Sequence, residues 1–233
     1  MSTKFDIWFM QNINMEQLFC PVKLGEQRQN MDTRMYKKGE FIYFAQDASN
    51  KIYYLESGTV KISAYSDDGR EVIKAILHPG EIFGELGLLG EQTRGEFAQA
   101  LQDAALCVMT LEMMRNLMRD YKEFGLEITR LIGNKLVKTQ RRLESLVFKD
   151  ARMRIIEFLT DLATERGQPL GYEILVREFF THQDIANLTG TSRQTVTTVL
   201  NELRNGNLIY FTRKKLIVRD LKKLQTLTRV ATN

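Results

Sequence analysis

The 233-residue chain has few of the residues that build metal centres and disulfide frameworks. Its two cysteines, Cys20 and Cys107, lie far apart and outside any CxxC pair, so they cannot hold an all-thiolate iron–sulfur cluster within one chain. A structural disulfide is uncommon in a cytosolic protein. The two histidines, His78 and His182, lack the spacing of metal ligands, and the Leu-His-Pro-Gly context of His78 is typical of a structural turn. We therefore expect no metal site, no iron–sulfur cluster and no haem.

Long hydrophobic runs are also missing. Hydrophobic residues make up 43% of the chain and charged residues 27%, which is typical of globular proteins. No apolar run approaches the roughly 20 residues that a membrane helix needs. The first residues carry an acid, Asp6, and lack the apolar segment of a signal peptide. These absences predict a cytoplasmic protein.

Catalytic constellations are not apparent either. The sequence contains no nucleophile–base arrangement, no cluster of metal ligands and no Walker-type phosphate loop. Two histidines offer little acid–base chemistry. The sequence therefore predicts that the chain is not an enzyme.

Positive charge is concentrated at one end of the chain. Residues 1–150 contain 20 basic and 21 acidic residues, whereas residues 151–233 contain 13 basic and 8 acidic residues. A basic surplus confined to the last third is the electrostatic pattern expected where a protein meets a polyanion.

Residues 31–109 have the pattern of short strands separated by turns. The strand-like runs are 41–44, 52–55, 60–65 and 72–77. The segment Asp67-Asp68-Gly69-Arg70 is a strong turn signal between two of these runs. Short strands at this spacing predict a β-sandwich or barrel.

Residues 112–147 are predicted to form one long helix. Glycine is sparse there and proline absent, and apolar residues recur at three- and four-residue steps. Such an apolar face can pack on its own domain, but the apolar face of a helix this long extends beyond what one small barrel can cover. We therefore also expect it to form a dimer seam. The seam residues are Ile128, Leu131, Ile132, Lys135, Thr139, Leu143 and Leu146.

A helix-turn-helix pattern begins at residue 181. Thr181 is placed to cap a first helix, with Asp184 in the reciprocal position of a capping box. Gly190 supplies the sharp turn, and Thr191 or Ser192 caps a second helix. The residues expected to face inward are Ile185, Ala186, Leu188 or Thr189, Val196, Val199, Leu200 and Leu203.

The exposed face of the second helix carries side chains that hydrogen-bond to base edges and phosphates. Two short apolar runs, 208–211 and 215–218, flank a basic tip and predict the wing of a winged helix, with its charge over the phosphate backbone. The predicted DNA-binding residues are Thr181, His182, Gln183, Ser192, Arg193, Gln194, Thr197, Thr198, Asn201, Arg213, Lys214 and Lys215.

Two segments carry a resemblance to a known family. They are Gly-Glu-Leu-Gly-Leu-Leu at 84–89 with Arg94 downstream, and Thr-Ser-Arg-Gln-Thr-Val at 191–196. Over nearly its full length the chain resembles the CRP–FNR family of bacterial transcription regulators. The resemblance implies an α+β protein with an N-terminal β jelly-roll barrel of cyclic-nucleotide-binding type. The implied domains are a sensor domain with N-terminal helices at 1–111, a dimerisation helix at 112–147 and a winged helix-turn-helix at 148–233.

The resemblance also implies an effector site. In nucleotide-binding members the glutamate takes the ribose hydroxyl, while the arginine and adjacent amides take the phosphate; Glu85 and Arg94 match these positions. Gly95 lacks the hydroxyl usual after the arginine, Glu96 adds negative charge, and the loop is about one residue shorter. The implied effector residues are Gly84, Glu85, Leu86, Arg94, Gly95, Thr139 and Gln140. A cyclic nucleotide, another small anion and no ligand all remain open, as does a direct pairing of Glu85 with Arg94.

The family pattern implies a homodimer on a near-palindromic operator, with half-sites about one helical turn apart. Arg193 matches a guanine-contacting arginine, whereas Gln194 and Thr198 replace a glutamate and a second arginine, so a different half-site is expected. Residues 165–171 are predicted to be a loop. The resemblance implies RNA polymerase as a partner, with the loop at residues 165–172 as the contact. The alternative is a ligand-binding module that regulates a protein partner and does not bind DNA.

Overall fold

The computed structural model describes residues 32–177 and 179–228. The chain divides into two compact units, and the division falls between Val137 and Lys138. The N-terminal helices expected in the sensor domain lie outside the described residues, as does Cys20.

The first unit is built on two antiparallel four-stranded sheets. In chain order the strands are β1 (Asp32–Tyr36), β2 (Phe41–Tyr43), β3 (Lys51–Ser57), β4 (Val60–Tyr65), β5 (Glu71–Leu77), β6 (Ile82–Phe83), β7 (Phe97–Ala100) and β8 (Ala104–Thr110). One sheet has the order β1-β8-β3-β6 and the other the order β2-β7-β4-β5. A 3₁₀ helix, Glu85–Leu89, lies between β6 and β7. Of the two architectures that the strand pattern predicted, a β-sandwich or a barrel, the structure shows the sandwich.

The long helix is interrupted, which corrects the prediction of one helix over 112–147. Helix α1 (Leu111–Asp120) and helix α2 (Lys122–Phe148) are separated by Tyr121, which is extended at φ −126 and ψ 102. Leu117 from α1 and Phe124 from α2 pack in the same core cluster, against strand residues such as Ile52. The three- and four-residue spacing of apolar residues shows which side of a helix they face. It did not reveal that the helix is interrupted so that α1 and α2 both pack on one core cluster.

Burial divides the predicted seam of α2 into two parts. Ile128 and Leu131 lie in the core of their own unit and are almost inaccessible to a partner. Leu143 and Leu146 are exposed, with Leu143 retaining 62% of its accessible surface. Apart from Leu126, the large apolar side chains of α2 that are exposed in a single chain lie between Leu136 and Phe148, toward its C-terminal end.

The second unit contains a short helical array and one small sheet. After α2 come α3 (Ala151–Arg166), β9 (Gln168–Leu170), β10 (Glu173–Val176), α4 (His182–Thr189), α5 (Arg193–Asn205), β11 (Ile209–Phe211), β12 (Leu216–Val218) and α6 (Leu221–Leu227). The antiparallel sheet has the order β11-β12-β10-β9. This arrangement confirms the predicted helix-turn-helix followed by a hairpin.

The segment expected to be a loop after α3 contains a strand, which is a second correction. Residues 168–170 form β9 and pair with β10, and the tip at Gly171 and Tyr172 is exposed. Pro169 has no N–H to donate, so it fits only a strand at the edge of a sheet, where β9 lies. The residues Gln-Pro-Leu have little intrinsic preference for a strand. The segment becomes a strand because it pairs with β10.

Within the described residues, none of the helices combines the length and the apolar character needed to cross a membrane.

Gly58 tests the close packing of the sandwich. Its φ is +89, and a Cβ there would lie 2.3 Å from the carbonyl oxygen of Asp103. Gly69, at φ +79, has nothing within 4 Å of the same position. Both alanine substitutions incur the left-handed backbone cost of about 1–2 kcal/mol. We expect Gly58→Ala to lower the free energy of unfolding in urea by about 1–3 kcal/mol more than Gly69→Ala, because only Gly58→Ala forces a clash. Equal losses would contradict the close approach.

Candidate nucleic-acid interface and effector site

The first helix of the motif begins with the predicted capping box. Thr181 Oγ1 accepts a hydrogen bond from the Asp184 amide at 3.1 Å, and the Asp184 carboxylate accepts one from the Thr181 amide at 3.3 Å. The helix ends at Gly190, which is left-handed with φ 62 and ψ 46. The cap therefore occupies the Thr181 hydroxyl that we had also expected to contact DNA.

The second helix is oriented by its buried face. Ser192 is its N-cap and accepts from the Thr195 amide at 3.0 Å, which decides between the two predicted caps. All the residues expected to face inward on α4 and α5 are buried: Ile185, Ala186, Leu188, Thr189, Val196, Val199, Leu200 and Leu203. The opposite face of α5 is consequently presented outward.

Arg193 and Gln194 carry the polar groups that this outward face leaves available. Both side chains are exposed, and neither makes a hydrogen bond or ion pair within the described part of the chain. The hydroxyls of Thr197 and Thr198 instead donate to the carbonyls of Arg193 and Gln194, at 2.9 and 3.1 Å. The hydroxyls of these two threonines are therefore engaged within the protein.

His182 joins the two helices and the hairpin. Its Nδ1 lies 2.8 Å from Thr197 Oγ1, and its ring packs edge-on against Phe211 at 5.8 Å between centroids. The Thr197 hydroxyl, which has a single proton, lies within hydrogen-bond distance of both His182 Nδ1 and the Arg193 carbonyl. The contact is one that sequence reasoning missed, since His182 and Thr197 are 15 residues apart.

The basic hairpin is held against the same helices. The Thr212 amide donates to the Lys215 carbonyl at 2.9 Å and closes the turn between β11 and β12. Phe211 lies beneath the guanidinium of Arg204 from α5, 5.4 Å from ring centroid to guanidinium carbon. The three predicted wing residues, Arg213, Lys214 and Lys215, are exposed. Helix α5 and the wing therefore carry their exposed charges in one unit.

The arginine of the predicted effector site is turned inward. Arg94 is only 4% exposed, and its guanidinium donates to the carbonyl of Gly84 at 2.9 Å and to that of Lys51. The same group lies 4.5 Å from the ring centroid of Tyr43 and 6.0 Å from that of Tyr53. Backbone carbonyls and aromatic faces thus stabilise the charge of Arg94 from within the protein.

The glutamate of this site pairs with a different residue from the one we considered. Buried Glu85 accepts from Lys135 Nζ at 2.6 Å, so the alternative of a Glu85–Arg94 pair is wrong. A carboxylate so far from water needs the nearest cation, and Lys135 of α2 supplies it. Glu96 is likewise paired, with Lys74 at 2.9 Å.

As arranged, these residues do not fit a bound phosphate. Both ionised groups of the predicted site are neutralised within the unit, and a phosphate would have to draw Arg94 away from two carbonyls and two rings. Of the other predicted effector residues, Leu86 is half-buried in the 3₁₀ helix, Gly95 is exposed, and Thr139 and Gln140 are exposed on α2. Tyr43 and Tyr53, which cover Arg94, were not singled out from the sequence. Tyr43 ends β2 and Tyr53 lies within β3, and neither is near Arg94 in the sequence.

Two family models match the chain. The cyclic nucleotide-binding domain matches residues 33–121, and the Crp-like helix-turn-helix domain matches residues 153–227. These ranges contain, respectively, the sandwich with Arg94 and the helix-turn-helix with its wing.

Similar proteins are found in several bacteria. The cyclic AMP receptor protein of Thermus thermophilus is 32% identical over 176 residues, covering 76% of this chain and 78% of that protein. The global nitrogen regulator of Synechocystis sp. is 28% identical over 200 residues, covering 85% of this chain and 89% of that protein. A solved structure of a CooA mutant from Carboxydothermus hydrogenoformans is similar in fold, with a TM-score of 0.82 at 24% identity over 96% of this chain and 99% of that one.

The environment of His182 predicts a pH dependence of stability. Burial, and secondarily the charge of Arg193, lower the pKa of His182. Below the ordinary pKa of about 6.5 the unfolded chain then binds more protons than the folded chain, so the free energy of unfolding falls as the pH drops through this range. We expect urea midpoints to fall more between pH 7.5 and pH 5 for the wild type than for His182→Gln. The other histidine, His78, is common to both proteins, and parallel pH profiles would rule out a role for His182.

Proposed function

Because this chain belongs to the CRP–FNR family of DNA-binding transcription regulators, we propose that it binds near-palindromic operators as a homodimer, with α5 of each subunit in the major groove. The family consists of transcription regulators rather than enzymes. The observation that carries the proposal is the exposed pair Arg193 and Gln194 at the start of α5, directly after the Gly190 turn. The non-DNA alternative has no support, since the chain matches the Crp-like helix-turn-helix domain.

The two exposed side chains suggest which bases are read. An arginine fork can donate two hydrogen bonds to O6 and N7 of guanine, and a glutamine can pair with N6 and N7 of adenine. The guanidinium of Arg193 and the amide of Gln194 remain available. The neighbouring hydroxyls of Thr197 and Thr198 bond instead to backbone carbonyls of α5. We therefore propose a half-site in which Arg193 reads guanine and Gln194 reads adenine.

The remaining predicted contacts serve the phosphate backbone. Gln183 is exposed at the start of α4 and donates to Asn187, which keeps it at the surface near the motif. The wing residues Arg213, Lys214 and Lys215 are placed to neutralise phosphates, a sequence-independent contribution that weakens with salt. Ser192 and Asn201 complete the proposed surface.

We propose that α2 forms the dimer seam through its exposed C-terminal part. Leu136, Leu143 and Leu146 are exposed, and Leu136 and Leu143 are separated by seven residues, the repeat of a coiled-coil position. Ile128 and Leu131 instead hold α2 on its own sandwich. The seam is thus shorter than the stripe seen in the sequence.

Other parts of the proposal follow from the family. We propose that an effector sensed by the N-terminal sandwich biases the dimer between two states, which it can do only by its difference in affinity for them. By the same analogy the exposed tip at Gly171 and Tyr172 contacts RNA polymerase. We place the protein in the cytoplasm, where the operators of a bacterial regulator lie.

Selection of duplexes from a random pool tests this function. The purified full-length protein is incubated with the pool, with and without cyclic AMP, and the bound duplexes are sequenced. Enrichment of a palindrome supports the proposal, and its dependence on cyclic AMP shows whether the rearranged site still responds to that nucleotide. Failure to enrich any sequence in both conditions would count against DNA recognition by α5.

Two substitutions separate base reading from backbone contact. Arg193→Ala should weaken binding to the selected operator by about 1–3 kcal/mol and relax the preference at one base position. Lys214→Ala should weaken binding to all duplexes alike and reduce the salt dependence by about one ion. Binding isotherms at several salt concentrations measure both effects. An unchanged base preference in Arg193→Ala would show that α5 is not the reading helix.

A further inference from the structure

Arg154, on the first turns of α3, makes three separate hydrogen bonds to backbone carbonyls. Its Nη1 donates to Lys149 at 2.7 Å, its Nε to Thr189 at 2.8 Å, and its Nη2 to Gly190 at 3.1 Å. Lys149 directly follows the last residue of α2, whereas Thr189 is the last residue of α4. One guanidinium therefore connects the end of the long helix to the turn that precedes the recognition helix.

The position suits a cation. The last carbonyls of a helix lack intrahelical partners and carry the negative end of the helix dipole. Two such ends, those of α2 and α4, meet the same guanidinium. The planar fork of arginine can serve three carbonyls at once, which a lysine ammonium cannot match with the same fixed geometry.

A second arginine reaches the same turn from α2 itself. Arg142 donates from Nη2 to the carbonyl of Leu188 at 2.6 Å. Burial lowers its pKa to about 10, which leaves it charged at neutral pH. Leu146, one turn further along α2, lies close enough to Gly190 that a Cβ there would be 3.1 Å from its Cδ2.

The end of α2 is also joined to α3. Glu157 of α3 accepts hydrogen bonds from Ser145 Oγ at 2.8 Å and from Lys149 Nζ. Side chains of Ser145 and Glu157 are largely shielded from water, so these bonds are less screened than surface pairs. The last turns of α2, the start of α3 and the turn after α4 thus form one connected group.

We propose that Arg154, supported by Arg142, is a positioning residue that fixes the direction of α5 relative to the end of α2 and so sets the half-site spacing that the dimer accepts. The proposal rests on the function proposed above, in which α2 forms the seam and α5 reads DNA. Arg154 itself bonds to backbone carbonyls rather than to DNA. Loosening it should therefore widen the range of accepted spacings without changing which bases are read.

The test compares duplexes that carry the same selected half-site at different spacings. One extra base pair turns the second half-site by about 34° and moves it by about 3.4 Å, since B-DNA has about 10.5 base pairs per turn of about 36 Å. Affinities are measured for the selected spacing, for spacings one base pair shorter and longer, and for a single half-site. We expect Arg154→Lys to reduce the preference for the selected spacing by about twofold to thirtyfold, the range found for residues that couple two elements. Single half-site affinity and base preference should stay at wild-type values.

Arg152→Lys is the matched control. It makes the same substitution two residues away on α3, where Arg152 pairs with Glu202 of α5 at the surface; an exposed ion pair contributes little, and a lysine keeps its charge. We expect it to retain the wild-type spacing preference. A wild-type preference in Arg154→Lys, or an equal loss of affinity for the half-site and for every spacing, would overturn the positioning role.

Hydrogen exchange of the full-length protein without DNA gives an independent reading. The amide of Thr191 donates to the Ala186 carbonyl within the turn that Arg154 holds. We expect peptides covering residues 186–195 to exchange faster in Arg154→Lys than in the wild type or Arg152→Lys, while peptides of the β-sandwich are unchanged. Unchanged exchange in the turn would overturn the positioning role even if DNA binding were altered. If exchange is faster in Arg154→Lys but the protein selects no operator, Arg154 does hold the turn and the proposed function is refuted.

Discussion

The helix-turn-helix depends on how the carbonyl end of α4 is satisfied. Gly190 reverses the chain there in a left-handed conformation, and its own amide closes the turn on Ala186. The carbonyls of Thr189 and Gly190 are met by the guanidinium of Arg154, so the end of this helix is completed by side chains from outside the motif. Every residue of α5 takes its direction from that reversal, because Ser192 caps the helix only two residues later.

In the sandwich, the constraint is that buried charges need partners. Arg94 and Glu85 lie where water is excluded, and each must find a partner in the protein or a ligand. Arg94 is held by carbonyls and aromatic rings, and Glu85 by Lys135 of α2. The residues that the family uses for a ligand therefore contribute here to the internal order of the unit, and Lys135 connects α2 to the same site.

Local sequence signals predicted a structural feature correctly where all the residues that produce the feature lie in one short stretch of chain. The capping box at Thr181, the glycine turn at Gly190 and the buried face of α5 all depend on residues within a few positions of each other. Strand and turn patterns likewise predicted the sandwich. The errors arose where distant groups decide the outcome. The interruption at Tyr121 lets α1 and α2 both pack in a core cluster that includes residues of β3. Strand β9 forms because it pairs with β10.

The amino-acid sequence by itself determined the two kinds of unit, most of the order of their elements and the exposed face of α5 that carries Arg193 and Gln194, because periodicity, caps and turn residues act locally. Only the tertiary structure decided which cation meets Glu85, which carbonyls Arg94 and Arg154 hold, and which part of the α2 stripe stays exposed. Those outcomes depend on charges and apolar surfaces that are remote in sequence. They become neighbours only when the chain is folded, and a buried charge then pairs with whatever the fold has brought nearest.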